Sequence, residues 1–234
     1  MKKKIGISLT STNFQNYLNW FTQDDLGDDL ELKVLSFLEN NVADIETCSG
    51  FVLTGGIDVE PGVYGESSNY NNGPDVYQHE RDLFEEKIYR HAVSKSHPVI
   101  GICRGMQLIN VLQGGKLIQD LDNGNARHKK EELDKEHTII AENNSLLHQI
   151  ASSFSGKVNS AHHQAIDPDA IGDNLVVNAY DDDEKIIEGL EFKDKTNKVF
   201  MLCVQWHPER MKGKEESPFS ENLKKQFLSA VRKT

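Results

Sequence analysis

The sequence predicts an α/β fold in which helices cover both faces of a mostly parallel central sheet. Three observations carry that prediction. Short apolar runs bounded by Gly, Pro or polar breakers recur along the chain, as buried parallel strands require. Strand-like and helix-like segments alternate through the first half, the pattern of βαβ units. The chain has 234 residues, 37% of them hydrophobic, which is enough for one sizeable core.

Taken in order, the first expected strand is residues 4–9. The opening Met1-Lys2-Lys3-Lys4-Ile5-Gly6-Ile7 is basic, but its apolar stretch turns polar at Ser8, Thr10, Ser11 and Thr12, so it reads as a strand and not as a signal peptide. Residues 13–29 are polar and acidic. Further strands are expected at 30–35, 50–53 and 98–102, then near 157–158, 175–180, 186–191 and 199–206. The polar residues 192–198 suit a hairpin turn between the last two. Helices fit 82–96, 105–113, 145–151 and 219–231, the last opened by Ser217-Pro218, a capping residue followed by proline in the first turn. Residues 69–76, polar and containing Gly and Pro, read as a surface loop. No internal repeat, low-complexity tract or Gly/Ser-rich linker divides the chain, so a single domain over residues 1–234 is expected.

Composition excludes several function classes. With 37 acidic against 26 basic side chains the formal charge is −11, which argues against a nucleic-acid binder that relies on a cationic surface. No stretch approaches the roughly 20 apolar residues of a membrane span. Three scattered Cys make no disulfide framework. A soluble, cytoplasmic protein is expected.

The most informative segment is Pro98-Val99-Ile100-Gly101-Ile102-Cys103-Arg104-Gly105-Met106-Gln107-Leu108-Ile109-Asn110. An apolar strand runs into Gly101-Ile102-Cys103-Arg104-Gly105, and a helical pattern follows at once. Small residues two positions either side of a nucleophile mark a strained strand-to-helix elbow, where a Cβ on either would crowd the neighbouring backbone. Cys103 would then sit at a helix N-terminus, where free N–H groups and the dipole favour thiolate. An isolated cysteine is more often a buried structural residue. The strand–turn–helix setting is what makes this one a candidate nucleophile.

A thiolate needs a base, and Val204-Gln205-Trp206-His207-Pro208-Glu209 supplies one at the end of the last strand. Proline pushes His207 to extended backbone, and residues two apart in extended chain share a side. Glu209 can therefore take one ring nitrogen of His207 while the other faces the thiol. Third, Phe51-Val52-Leu53-Thr54-Gly55-Gly56-Ile57-Asp58 ends a strand in two glycines. Alone that is most often just a turn. With the elbow, the N–H groups of Gly56 and Arg104 could hold an oxyanion.

Weaker signals accompany these. Nine histidines invite a metal reading, but His162 and His163 would face opposite ways in extended chain and no zinc-type spacing is present, so neither a metal nor a cofactor is expected. Cys48, Cys203, Trp206 and Tyr64 read as core residues. Arg81, Asp82 and Glu85 fit either a substrate-facing cluster or a solvated helix face. The acidic run Asp181-Asp182-Asp183-Glu184 reads as a solvated turn.

Gly101-Ile-Cys-Arg-Gly-Met-Gln107 with Gln205-Trp-His-Pro-Glu209 resembles the class I glutamine amidotransferase fold, which has a flavodoxin-like core and a Cys-His-Glu triad. The stretches Gly55–Gly65, His79–Asp82, Gly114–Leu121 and Val158–Ile166 are similar to the peptidase C26 branch, which includes γ-glutamyl-γ-aminobutyrate hydrolase-like enzymes. The resemblance covers roughly residues 50–210. It implies Cys103 as nucleophile, His207 as base, Glu209 as its orienter, and the Gly56 and Arg104 amides as oxyanion donors. It places Gln107 and the His163-Gln164 segment near the γ-glutamyl group. The family usually has a longer amphipathic helix and a Gly-Gly-x-Pro turn after its first strand, where this chain has residues 13–29.

Three functions follow as expectations. The first is hydrolysis of a small-molecule γ-glutamyl amide. The second is a glutaminase subunit passing ammonia to a separate synthase partner. The motifs run to within 25 residues of the end (234 − 209), so no fused synthase is expected. The third is a non-enzymatic binding module, which a complete triad disfavours. The resemblance is compatible with a homodimer.

Overall fold

The computed structural model describes residues 2–183, 185–195 and 200–234. Strands β1 (Lys3–Ser8), β2 (Leu30–Leu35), β3 (Cys48–Leu53) and β4 (Val99–Ile102) form one wing of a nine-stranded sheet. Their order, β2-β1-β3-β4, continues into β11 (Met201–Val204), and every pairing in this wing is parallel. Beyond β11 lie β10 (Ile187–Phe192), β9 (Leu175–Asp181), β6 (Lys135–Ala141) and β7 (Ser155–Ser160), all antiparallel to their neighbours. The short β5 (Leu117–Ile118) and β8 (Ala165–Ile166) pair separately. The α/β class with a parallel core is thus as expected, and an antiparallel extension completes the sheet. Position 199 of the expected last strand and positions 196–198 of the expected hairpin turn lie outside the described residues.

Period-2 alternation sorts the parallel strands' side chains onto two cores. Val52, Ile100, Ile102, Leu202 and Val204 face one cluster, closed by Trp20, Phe227 and Val231. Phe51, Leu53, Val99, Met201 and Cys203 face the other, closed by Phe84, Ile88, Met106 and Ile109. Those lids come from α1 (Phe14–Trp20) and α7 (Leu223–Lys233) on one side, and from α3 (His79–Lys95) and α4 (Arg104–Leu112) on the other. Among the described residues no helix is long and apolar enough to cross a membrane.

Three local outcomes depart from the sequence reading. Residues 13–29 fold into α1 and a one-turn α2 (Gln23–Leu26), whose start Thr22 caps through a reciprocal box with Asp25. Of their apolar residues, Tyr17, Trp20, Phe21 and Leu26 are buried and Phe14 and Leu18 half-buried, although the segment is polar on average. The C-terminal helix begins later than expected because Pro218–Asn222 form a π-turn. That turn lets Ser220 donate to the Pro208 carbonyl at 2.8 Å while accepting from the Trp20 indole at 3.0 Å. The acidic run is not a solvated turn throughout. Asp181 ends β9 fully buried, and Asp182 and Asp183 engage Arg127. Glu184 lies outside the described residues.

Candidate active site

Cys103 stands between β4 and α4 with φ +52° and ψ −107°, a strained conformation for a residue with a side chain. The flanking glycines explain how the chain tolerates it. A Cβ on Gly105 would lie 2.2 Å from the Leu53 carbonyl oxygen, and one on Gly101 would lie 3.0 Å from the Gly105 backbone. The strand, the elbow and the helix can close up only if both positions lack a side chain. The Cys103 thiol accepts from Gln205 Nε2 at 3.4 Å and is largely enclosed, with 7% of the residue exposed. Cys48 and Cys203 are buried as expected, and burial pushes their thiols up to about 11 and about 12.

His207 leaves the sheet just after β11, with its backbone N–H held by Asn159 Oδ1 at 3.0 Å. Its Nδ1 donates to Glu209 Oε1 at 2.9 Å, so Nε2 is the nitrogen left for the thiol. The route differs from a simple extended i, i+2 pair. His207, at φ −113° and ψ 84°, falls short of the extended region expected of it, and Pro208 starts a tight 3-10 turn through Arg210 that folds the Glu209 carboxylate back onto the ring. Burial disfavours charge on His207, yet Glu209 and the Cys103 sulfur beside it, which is within hydrogen-bonding reach, raise its pKa to about 9. Its imidazolium is therefore the favoured form at neutral pH.

A residue not anticipated from sequence completes this centre. Tyr17, on α1, places its hydroxyl 3.4 Å from His207 Nδ1 and accepts from the Gly55 N–H at 2.9 Å. Burial, and then the nearby Glu209 and Cys103, raise its pKa well above that of a free phenol, so it stays neutral. A Cβ on Gly55 would collide with both the His207 ring and the Tyr17 hydroxyl at 2.8 Å.

Gly56 follows with φ +144°. Among the described residues neither its amide nor that of Arg104 has a hydrogen-bond partner. The loop carrying it is clamped from behind. Arg81 donates to the Thr54 and Gly55 carbonyls at 3.2 and 2.9 Å, to the Thr54 hydroxyl at 3.0 Å and to Thr10 at 3.2 Å. The Arg104 side chain donates to the Ile57 carbonyl at 2.7 Å and pairs with Asp82 and Glu85. Glu85 also takes Arg81 at 3.0 Å. All four charged residues are buried. The structure thus overturns both sequence readings of Arg81, Asp82 and Glu85. They neither face solvent nor reach outward, because their charges are spent on one another and on the 54–57 carbonyls.

Gln107, from α4, donates to the Gln164 carbonyl at 3.3 Å and to Gln205 Oε1 at 3.2 Å, which joins it to the amide that contacts Cys103. Gln164 donates onward to the Gln119 carbonyl at 3.2 Å. His162 and His163 do point apart. His163 lies between Asp58 at 3.1 Å and Asp120 at 3.3 Å; burial opposes its charge, but those carboxylates raise its pKa overall. His162 turns inward toward Glu188.

Comparison with known proteins follows the same lines. A family model described as Peptidase C26 matches residues 34–209. YvdE of Lactococcus lactis subsp. lactis, described as glutamine amidotransferase-like, is 34% identical over 200 residues, covering 83% of this chain and 79% of that protein. The gamma-glutamyl-gamma-aminobutyrate hydrolase PuuD of Escherichia coli is 32% identical over 161 residues, 64% of this chain and 59% of that enzyme. Among solved structures, the glutaminase domain of Trypanosoma brucei CTPS with bound acivicin aligns over 100% of this chain and 95% of that one, with a TM-score of 0.69 at 14% identity. That last likeness is one of fold.

Proposed function

The chain belongs to the peptidase C26 family of glutamine amidotransferase-like proteins, and we propose that it is a cysteine-nucleophile hydrolase of γ-glutamyl amides working through a γ-glutamyl thioester. The observation that carries this reading is the strained Cys103 elbow beside a His207 whose Nδ1 is committed to Glu209. Cys103 attacks the γ-carbonyl as thiolate, and the Gly56 and Arg104 amides receive the charge that develops on oxygen. One such donor is worth ~3 kcal/mol in the transition state.

His207, held protonated up to about pH 9, gives its proton to the departing amine. The neutral imidazole then takes a proton from water, the resulting hydroxide attacks the thioester, and glutamate leaves as Cys103 returns to thiolate. Glu209 fixes the tautomer throughout. The Tyr17 hydroxyl holds the Gly55 amide beside the ring and so fixes the first turn of the oxyanion loop. Gln107, His163 and Gln164 line the γ-glutamyl side of the site in this reading. PuuD, named for γ-glutamyl-γ-aminobutyrate hydrolysis, is the relative that favours a small amine as leaving group.

A second reading, a glutaminase subunit delivering ammonia to a separate synthase, is favoured by the glutamine amidotransferase-like description of YvdE. Assaying a panel of γ-glutamyl amides for glutamate release by the chain alone separates the two. Steady turnover of an amine-bearing γ-glutamyl amide without a partner supports the hydrolase. Turnover of none of the panel, or of glutamine only when a synthase is added, overturns it.

A further inference from the structure

Next to the Gln107–Gln205 pair, on the antiparallel side of the sheet, lies a second constellation that the proposed reaction does not use. His128 ends the one-turn helix α5 (Asn125–His128), His137 is on β6, His162 follows β7, and Glu188 is on β10. All four residues are buried, each at most 4% exposed. One carboxylate oxygen, Glu188 Oε1, is faced by His137 Nε2 at 3.4 Å, His162 Nε2 at 3.4 Å and His128 Nδ1 at 3.6 Å. His128, His137 and Glu188 offer ligand atoms that all lie within 4.8 Å of one another.

We propose that these residues bind a divalent metal ion of the zinc class, with His128, His137 and Glu188 as the primary ligands and His162, which stands outside that close set but 3.4 Å from Glu188 Oε1, moving in as the fourth. Two physical observations support this. First, the separations are long for charge-assisted hydrogen bonds and match ligand spacing about Glu188 Oε1. Charge-assisted N–H···O bonds close to about 2.7–2.9 Å, and among the described residues neither Glu188 oxygen, neither ring nitrogen of His137, nor His162 Nε2 makes a hydrogen bond. Around a tetrahedral ion with bonds near 2.1 Å, neighbouring ligand atoms stand about 1.63 times farther apart, or about 3.4 Å.

Second, the His162 tautomer is set from outside. Its Nδ1 lies 2.9 Å from the Gln164 carbonyl, which can only accept, so Nδ1 carries the proton. That is the outer hydrogen bond a metal-bound histidine usually makes. It leaves the Nε2 lone pair aimed at a carboxylate oxygen. Two acceptors face to face are stable only with a cation or an added proton between them, and an ion answers for His162 and His137 at once; His128 Nδ1, 3.6 Å from the same oxygen, also has Ser160 Oγ at 3.3 Å, which it would exchange for the ion. Imidazole and carboxylate together suit Zn²⁺ better than Mg²⁺ or Ca²⁺, which prefer all-oxygen sites.

The ion is a brace, not a reactant. Glu188's backbone carbonyl accepts from Gln205 N at 2.8 Å, and Gln205 touches the Cys103 thiol. His162 holds the Gln164 carbonyl that Gln107 also uses. Tying β6, β10 and the 162–164 loop together would thus position the amides beside the candidate nucleophile. This departs from the sequence expectation of no metal. The ligands are spread over 60 positions (188 − 128) with no short zinc-type spacing, and only the sheet brings them together.

The test uses the full chain, stripped of metal by chelator and titrated with Zn²⁺ alone. Expected are uptake of one ion per chain by elemental analysis, a rise in Tm on adding Zn²⁺, and an anomalous-scattering peak between the three histidines. His137→Ala and Glu188→Gln should each weaken uptake at least ~100-fold and abolish the Tm rise. Should His137→Ala fail to fold, the nearly isosteric Glu188→Gln decides, with circular dichroism to check its fold. A folded wild-type chain that takes up no Zn²⁺ overturns the proposal. So does uptake that survives the substitutions or maps elsewhere, which marks an adventitious ion only.

Discussion

Substituting Gly56 by alanine tests the proposed oxyanion loop at its most sensitive atom. Gly56 sits at φ +144°, where an L side chain is strained, and its Cβ would stand 2.3 Å from Arg81 Nη1 and 2.6 Å from Thr10 Oγ1. Arg81 cannot swing aside cheaply, because its guanidinium is already shared among Glu85, Thr10, Thr54 and Gly55. The loop backbone must move instead. Holding the strained conformation costs about 1–3 kcal/mol, which for a chain of this length lowers Tm by roughly 2–12 °C. Moving the Gly56 amide off the developing charge lowers kcat about 10²–10³-fold, with a smaller change in KM. Gly62→Ala is the control, since nothing lies within 4 Å of its added Cβ, and its stability should stay within about 0.5 kcal/mol of wild type. Differential scanning fluorimetry and steady-state glutamate release read both effects. Gly56→Ala with a lowered Tm but wild-type kcat would show that this amide does not stabilise the transition state.

Three further substitutions probe the rest of the site. Glu85→Ala leaves Arg81 and Arg104 without a shared buried carboxylate; a loss of about 3–5 kcal/mol is expected in urea unfolding, and a change below 1 kcal/mol would contradict the clamp described above. Gly105→Ala drives a Cβ to 2.2 Å from the Leu53 carbonyl; neither atom can rotate away, so Tm and turnover should fall together. Glu209 and the Cys103 sulfur raise the His207 pKa from 6.5 to about 9, so the stability their pairing with the imidazolium gives is fully present below pH 6.5 and is lost as pH rises through about 9. The destabilisation of Glu209→Gln relative to wild type should therefore be greatest below about pH 6.5 and shrink as pH rises through about 9. A difference that grows with pH would reverse the assignment.

The parts of this site legible in the sequence are those whose physics is local. Gly101 and Gly105 announce the elbow because two backbones meet there, and the apolar run before them can only be a buried strand. His207-Pro208-Glu209 is legible for the same reason, although the carboxylate reaches the ring through a tight turn. What stayed hidden depends on packing across the chain. Tyr17 is one of four aromatics in residues 13–29, with nothing local to single it out, and its contact with His207 exists because α1 packs against residues 208–210. Arg81 and Glu85 have the i, i+4 spacing of a solvated helix face, and only the loop at Thr54–Ile57 explains why they are buried. The parallel wing was readable from its double-sided apolar strands. In β6, Glu136 and Ile140 fall on the opposite face from the buried His137, Ile139 and Ala141, a mixed pattern that hid the strand.

Whether Cys103 alone reacts is read by intact-mass measurement after exposure to a γ-glutamyl electrophile of the diazo-oxo-norleucine type. One adduct per chain is expected, mapped to Cys103, absent in Cys103→Ala and much slower to form in His207→Ala, with all three proteins folded. An adduct on Cys48 or Cys203, or a folded wild-type chain that forms none, would contradict that assignment.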